Sequence, residues 1–318
     1  MKRRRDLWPA LGFLAPNLAG FLVFTAGPVA FSLFASLTNW NLKHTVPLRP
    51  VGLRNYAEAL ADPAFRLDFV NTLYFMLAAP LAIAGALWVA ILLNRRLRGI
   101  ALFRALLYLP SFTSGVAIMI LWKQLYNPDF GAVNVAIRHV SDWLHLGWQT
   151  PSWLSSTKSL GGLKVEEVGF EAKQFGLGAR EALMGMGIWG AIGGNNMLLY
   201  LAALTGVPDE LTEAAQLDGA GRWSCFRFVT WPHLAPTTFF IVVMSVIGGL
   251  QGGFEQARVM TGGGPAGTTS TLAYYIYNLA FEQFRMGYAS AVAWVLFAFV
   301  LVATLANWRF GNRAAIEL

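Results

Sequence analysis

The chain of 318 residues is 56% hydrophobic and only 13% charged, and its mean hydropathy is +0.49. Ordinary soluble domains carry roughly 25% charged residues, so this composition excludes a typical soluble globular protein and predicts an integral membrane protein. The net charge of +7 is compatible with nucleic-acid binding, but the basic residues cluster beside apolar runs, and no nucleic-acid partner is predicted.

Six apolar runs are long enough to cross a membrane, because an α-helix needs about 20 residues to span a hydrocarbon core roughly 30 Å thick. They comprise residues 9–36, 69–94, 101–124, 181–204, 236–256 and 287–308. The first run follows the basic segment MKRRR, as in a cleaved signal peptide, but it is far longer than the roughly 7–15 apolar residues of such a peptide. The predicted fold class is an all-α integral membrane protein with six transmembrane helices in a single domain, residues 1–318.

Three groups of basic residues predict the orientation of these helices. They are Lys2, Arg3, Arg4 and Arg5 before the first run, Arg95, Arg96 and Arg98 after the second, and Arg309 and Arg313 after the sixth. Cytoplasmic segments carry an excess of lysine and arginine, so all three groups are predicted to be cytoplasmic. Six crossings that begin in the cytoplasm also end there, so both termini are predicted to be cytoplasmic.

Two outward segments follow from this orientation. Residues 37–68 contain prolines, a glycine and mixed charges, and they predict a loop with a short helix near Tyr56–Leu60. Residues 125–180 form the longest polar stretch, whose length is typical of a functional or disordered segment, and whose aromatic residues argue against full disorder. These aromatic residues fit an interfacial belt and a partner-docking surface equally well.

The last outward segment begins with a glycine-rich stretch. Three glycines and a proline at 262–265 predict a turn, followed by helical spacing. No Lys-Ser/Thr follows the glycines and no strand precedes them, which argues against a phosphate-binding loop. The pattern GxxxxGK[ST] is absent from the whole chain, and the four histidines have no metal-ligand spacing, so neither an ATP site nor a metal site is predicted and the chain is not expected to be an enzyme.

A polar segment at residues 205–235 separates the fourth and fifth runs. Pro208, followed by Asp209 and Glu210, predicts the start of a short helix, because proline and acidic residues are favoured in the first turn. Gly219 and Gly221 are predicted to end it. A second short helix is expected to begin near Arg222 and to be ended by Pro232 and Pro236. From these residues alone, an amphipathic linker and a protein-docking surface are equally supported. The single cysteine, Cys225, excludes an intrachain disulfide, and we interpret it as apolar filler.

The motifs of this segment resemble a known family. EAA at 213–215, DGAG at 218–221 and the aromatic run that ends in Trp-Pro at 231–232 resemble the EAA loop of permease subunits of binding-protein-dependent ABC importers. VGLRNYAEAL near residue 55 and VMTGGGPAGTTSTLAYYIYNLAF from residue 259 are similar to the carbohydrate-uptake branch of this family. The resemblance covers nearly the whole chain.

The resemblance implies a coupling role for the first short helix. Glu213 would face an arginine of a cytoplasmic ATPase subunit, and Ala214 and Ala215 would pack in its cleft. Gly219 would shape the turn, and Asp218 would cap or brace it. The implied assembly contains a second homologous permease, two ABC ATPase subunits and an extracytoplasmic solute-binding protein in a bacterial inner membrane. ATP and magnesium would be bound by the ATPase, and this chain would hold no cofactor.

Neutral polar residues in the fourth and fifth runs are candidates for the substrate pathway. They are Asn195, Asn196 and Gln251, with Phe254 and Glu255 beside them. Amide groups next to an aromatic ring suit the hydroxyls and apolar faces of sugars. Hydrogen bonding between helices is an equal alternative for the asparagines, and an interfacial carboxylate is an equal alternative for Glu255.

The predicted function is therefore the permease subunit of an ATP-driven carbohydrate importer. Import of glycerol phosphate or another polar solute by the same machinery is the alternative. A secondary transporter is less favoured, because the runs show neither the buried ionisable residues nor the inverted repeats of that class.

Overall fold

The computed structural model describes residues 7–43, 45–95, 98–162 and 175–316, and the regular secondary structure within these ranges is helical. The basic residues Lys2 to Arg5 and Arg96, and part of the predicted outer loop at 163–174, lie outside the described residues. The α-helices, in chain order, are α1 (Leu7–Phe21), α2 (Gly27–Ser36), α3 (Arg54–Ala61), α4 (Pro63–Met76), α5 (Ala78–Leu93), α6 (Ile100–Tyr108), α7 (Gly115–Leu125), α8 (Ala132–Leu144), α9 (Ala179–Ile192), α10 (Asn195–Thr205), α11 (Asp209–Leu217), α12 (Arg222–Cys225), α13 (Trp231–Gln251), α14 (Phe254–Gln256), α15 (Leu272–Tyr277) and α16 (Met286–Ile316).

Four helical stretches of the described chain are long and apolar enough to cross a membrane. They are Gly12–Ser36, Pro63–Leu93, Arg222–Gln251 and Met286–Arg309, which overlap the first, second, fifth and sixth predicted runs. A fifth candidate is a bent pair, Ile100–Phe112 and Gly115–Leu125, whose two limbs meet at 100°. The structure therefore confirms an all-helical fold with several membrane-length helices, and the third predicted run is sharply bent rather than straight.

The fourth predicted run, 181–204, is divided in the structure. Helix α9 ends at Ile192 and α10 begins at Asn195. A Cβ atom on Gly193 would lie 2.3 Å from the carbonyl oxygen of Leu107, so the break lies directly against the backbone of the α6 segment. Gly193 and Leu107 are far apart in the sequence, so the apolar pattern of residues 181–204 does not indicate this division.

The prediction that Pro232 and Pro236 end the second short helix is wrong. The helix continues without interruption from Arg222 to Gln251, and Pro236 lies inside α13. A π-helical turn at Phe226–Thr230 precedes Pro232, and π-turns widen the helix at the point where its regular hydrogen bonding is interrupted. Pro232 follows this π-turn directly, so its missing N–H falls where the regular hydrogen bonding of the helix is already altered.

The same helix ends earlier than the fifth predicted run. Gly252 follows Gln251 in an extended conformation, and Gly253 has a φ of +86°, which only glycine adopts readily. Phe254 and Glu255, which we expected in this run, therefore lie in the separate short helix α14.

The described chain divides into two compact units, and the larger extends over residues 66–274 and 299–318. Its main core joins α5, α9, α10 and α13. The side chains that fill this core are fully or almost fully buried: Ala86, Ala90, Met197, Tyr200, Leu201, Leu234 and Ile241. The alanines allow close approach of the helix backbones, as is common between membrane helices.

The smaller unit contains the residues up to Phe65 and Tyr275–Ala298. Its helix α3 confirms the short helix predicted near Tyr56–Leu60. The Asp62 carboxylate accepts hydrogen bonds from the hydroxyls of Tyr275 and Tyr288. Burial alone would raise the pKa of Asp62, but these hydrogen bonds and those from nearby backbone N–H groups hold it below its usual value.

Candidate functional site: an exposed short helix and a cleft in the larger unit

Helix α11 forms where the sequence predicts it. Pro208 occupies the N-cap position, and Asp209 and Glu210 lie in the first turn. At the other end, Gly219 has a φ of +87°, and the Ala220 N–H donates to the carbonyl of Ala215 over 2.9 Å. This left-handed glycine closes the helix as a C-terminal cap, so the predicted helix and its glycine stop are confirmed.

The five predicted coupling residues are all on or beside this helix. Glu213, Ala214, Asp218 and Gly219 are exposed, and Ala215 is half-buried. A Cβ atom on Gly219 would contact nothing within 4 Å, so the surface around the turn is open. Ala214 and Ala215, directly after the exposed Glu213 carboxylate, keep the side chains short at this surface, so another protein could pack closely against it.

Large apolar side chains surround this surface. Leu217 is 89% exposed, Trp223 is 73% exposed and Phe228 is 75% exposed. Exposed apolar patches of this kind mark protein or membrane contacts. Cys225 is instead buried, and its Sγ lies 3.7 Å from the carbonyl oxygen of Ala220, in agreement with its interpretation as filler.

The predicted pathway residues lie on three helices. Asn195 is exposed at the start of α10, and its Oδ1 accepts a hydrogen bond of 2.9 Å from the Tyr108 hydroxyl. Asn196 is half-buried beside it. For Asn195, this contact is the inter-helix hydrogen bonding that we considered as the alternative.

Gln251, Phe254 and Glu255 flank the break between α13 and α14. Gln251 and Glu255 are exposed, and Phe254 is half-buried, with its ring 6.2 Å from that of Tyr274. Glu255 approaches the first residue of α7, since a Cβ atom on Gly115 would lie 3.1 Å from its Oε2.

A cleft of about 250 Å³ opens beside this break, within the larger unit. Its lining comes from α4, α5, α9, the end of α13, α14 and the residue before α15: Thr72, Phe75, Ala78, Leu183, Met184, Gly187, Gly248, Gly249, Gly252, Gly253, Gln256 and Thr271. The five predicted pathway residues do not belong to this lining, although Gln256 follows Glu255 directly. Hydroxyl and amide groups among apolar side chains suit a neutral polar solute.

Sequence reasoning missed a buried polar cluster near the cleft. Arg180 is only 1% exposed, and its Nε and Nη2 donate to the Oδ1 of Asn71 over 3.0 and 2.8 Å. The Asn71 Nδ2 donates to the carbonyls of Gly267 and Ser270. Asn71 thus joins α4, α9 and the glycine-rich segment before α15.

A second hydrogen-bonded group lies next to this cluster. The Glu181 carboxylate accepts hydrogen bonds from the Tyr74 hydroxyl, over 2.6 Å, and from the Leu160 N–H, over 2.8 Å. It also accepts one from the Gly178 N–H. An adjacent arginine and glutamate at the edge of an apolar run were the only sequence signal of this arrangement.

The sequence matches one protein family and is similar to several permeases of ABC transporters. Residues 78–314 match the family described as binding-protein-dependent transport system inner membrane component. The chain is 33% identical to the probable ABC transporter permease protein YesP of Bacillus subtilis, over 95% of this chain and 90% of that protein. It is 34% identical to the lactose transport system permease protein LacF of Rhizobium radiobacter, over 91% of this chain and 89% of that protein.

A solved structure shares the fold. The match is to a chain in the crystal structure of a bacterial alginate ABC transporter in complex with an alginate pentasaccharide-bound periplasmic protein. The TM-score is 0.77 at 22% sequence identity, and the match covers 99% of this chain and 97% of that chain.

Proposed function

Because the chain belongs to the family of binding-protein-dependent transport system inner membrane components, we propose that it is the permease subunit of an ATP-driven carbohydrate importer. The single structural observation that carries this proposal is α11, an exposed short helix with the EAA sequence, held between apolar helices. A sugar as the solute is supported by the names of two relatives, a lactose permease and a multiple sugar-binding transport system permease of Streptococcus mutans, while a third is an sn-glycerol-3-phosphate permease of Brucella abortus.

The proposed assembly contains two cytoplasmic ATPase subunits, a second homologous permease and an extracytoplasmic solute-binding protein. ATP and magnesium are bound by the ATPase. In this chain, six helices cross the inner membrane, with the bent pair α6–α7 as one crossing and the divided pair α9–α10 as another. Both termini and α11 face the cytoplasm.

Coupling in this assembly runs through α11. Glu213 pairs with an arginine of the ATPase, because a carboxylate and a guanidinium form a strong and oriented contact. Ala214 and Ala215 allow close packing, and the left-handed turn at Gly219, preceded by Asp218, fixes the direction in which the next helix leaves. Closure of the ATPase dimer then moves α11 together with the continuous helix from Arg222 to Gln251.

The substrate pathway is proposed to pass the cleft beside the α13–α14 break, near Gln251, Phe254 and Glu255, with Asn195 and Asn196 elsewhere along it. The described lining of the cleft contains no cationic side chain. A phosphate dianion would require charged or strongly donating partners, so this lining favours a neutral sugar over glycerol phosphate.

A change that fills the cleft tests this pathway and the proposed function together. Gly187 lies in α9 and lines the cleft, and a Cβ atom there would meet nothing within 4 Å. In the complete transporter reconstituted in liposomes, we expect the Gly187→Leu permease to lose most of its ATP-dependent and binding-protein-dependent sugar uptake, because the new side chain occupies the cleft.

Gly190→Leu is the matched control. Gly190 lies one turn further along α9, outside the cleft lining, and a Cβ atom there also has open space. We expect this variant to retain uptake. Equal uptake by both variants would contradict the pathway, and uptake by the wild type without ATP or without a binding protein would contradict the proposed function.

The orientation has its own test. Ser155 is exposed in the second outward segment. In a Cys225→Ser background, Ser155→Cys is expected to react with a membrane-impermeant thiol reagent added to intact spheroplasts. Reaction only after lysis would show that this segment, and with it the termini, has the opposite orientation.

A further inference from the structure

Helix α8 has three distinct faces. Successive residues of an α-helix are rotated by about 100°, which places Ala136, Val140, Trp143 and Leu144 along one stripe. Val140 is 44% exposed, Trp143 is 78% exposed and Leu144 is 46% exposed. The exposed Arg138, His139 and Asp142 lie on a different side of the helix. An exposed apolar stripe beside a charged one makes α8 amphipathic on its accessible surface.

The third face fixes α8 to the larger unit. Asn134 is fully buried, and its Nδ2 donates to the carbonyls of Pro128 and Pro151. Its Oδ1 accepts a hydrogen bond of 2.7 Å from the Trp153 indole N–H. Because these contacts hold a neighbouring face of the helix against the larger unit, the helix cannot rotate to bury the apolar stripe.

The stripe continues past the end of the helix. His145 has a φ of +54°, and the N–H of Leu146 donates to the carbonyl of Ser141 over 2.9 Å. The Trp148 N–H donates to the Ser141 hydroxyl oxygen over 2.8 Å. Leu146 is 45% exposed and Trp148 is 54% exposed, so this folded-back segment adds two exposed apolar side chains at the end of α8.

Helix α8 also begins at the end of an apolar helix. A Cβ atom on Gly131 would lie 2.4 Å from the carbonyl oxygens of both Leu125 and Asn127. The start of α8 is therefore packed against the last turn of α7, which is the second limb of the bent membrane-length pair. Helix α8 therefore starts directly beside the end of a helix that is apolar enough to form part of a membrane crossing.

We propose that α8 lies in the membrane surface, with the stripe of Ala136, Val140, Trp143 and Leu144 in the boundary between lipid headgroups and acyl chains. Amphipathic helices bind there with the charged side towards water, and tryptophan is enriched at that depth.

A lipid surface covers the stripe permanently. A binding protein that docks transiently would leave Trp143 in water between transport cycles, and such interfaces are about as polar as ordinary surface. The proposal requires only that the chain is embedded in a membrane, and it does not depend on the solute.

Spin labels on the two exposed sides of α8 test this arrangement. In the full-length Cys225→Ser chain, Val140→Cys places a label in the apolar stripe and Asp142→Cys places one on the charged side. After reconstitution in liposomes of phosphatidylethanolamine and phosphatidylglycerol, collisions with oxygen and with a water-soluble nickel chelate are measured by electron paramagnetic resonance. We expect the ratio of oxygen to nickel accessibility to be several-fold higher at residue 140 than at residue 142.

Two results would overturn the proposal. Equal nickel accessibility at the two positions would mean that the stripe is in water. Protection of residue 140 that appears only after the solute-binding protein is added would identify a protein-docking surface instead. Both sites are exposed in the structure, so the labels are not expected to disturb the fold.

Discussion

A permease with Glu213 replaced by arginine is expected to insert into the membrane normally and to lose ATP-driven uptake. Glu213 is exposed on α11, so the change removes no buried contact within the chain. In the proposed assembly it brings a second cation against an arginine of the ATPase. Loss of one partner of a desolvated interfacial charge pair costs about 2–5 kcal/mol, and each 1.4 kcal/mol is roughly tenfold in affinity.

The measurement separates docking from insertion. Co-purification of the ATPase with the permease reports docking, sugar uptake by the reconstituted transporter reports function, and the amount of permease in the membrane fraction reports insertion. Glu213→Ala is expected to show an intermediate loss, because it removes the favourable pair without adding repulsion.

Glu210→Arg is the matched control for charge. It makes the same change one turn earlier on α11, at another exposed glutamate, and we expect most of the docking and uptake to remain. If Glu213→Arg retained full uptake, the coupling role of this residue would be wrong. If both variants lost docking equally, the general charge of the helix, rather than the position of Glu213, would control the contact.

Local signals explain what the sequence predicted well. Pro208, Asp209 and Glu210 favour the start of a helix, and Gly219 favours its end, whatever the rest of the chain does. The ends of α11 therefore follow from nearby residues. The length of an apolar run likewise predicts a membrane-length helix, because the bilayer imposes a minimum span.

The elements that were missed depend on residues far apart in the sequence. The break at Gly193 lies against the backbone of Leu107. In the sequence, a glycine at such a break looks the same as a glycine that packs against a neighbouring helix. The continuity of the helix through Pro232 depends on the π-helical turn before it. The pairing of Asn71 with Arg180 joins residues 109 positions apart, and no local pattern indicates such a partner.

The substitution Asn71→Leu is expected to destabilise the protein strongly. It removes both acceptor contacts of the buried Arg180 and both donors to the glycine-rich segment. The Arg180 guanidinium would then lose the two hydrogen bonds that its Nε and Nη2 donate to Asn71, and its Nη1 already has no hydrogen-bond partner among the described residues. Leaving buried donors of a charged group without an acceptor costs about 3 kcal/mol, which corresponds to a fall on the order of 5–10 °C in the melting temperature. Thermal unfolding of the purified full-length chain in detergent measures this loss.

A second variant at the same site distinguishes the two halves of the cluster. Asn71→Asp keeps an oxygen that accepts from Arg180 and adds an opposite charge, but its carboxylate cannot donate to the carbonyls of Gly267 and Ser270. We expect its melting temperature to lie between those of the wild type and Asn71→Leu.

Gln124→Leu replaces an exposed amide on α7 and is expected to leave the melting temperature almost unchanged. An unchanged melting temperature for Asn71→Leu would show that the three elements are held together without this cluster. If Asn71→Asp were as unstable as Asn71→Leu, the contacts to the glycine-rich segment, rather than the partner of Arg180, would supply the stability.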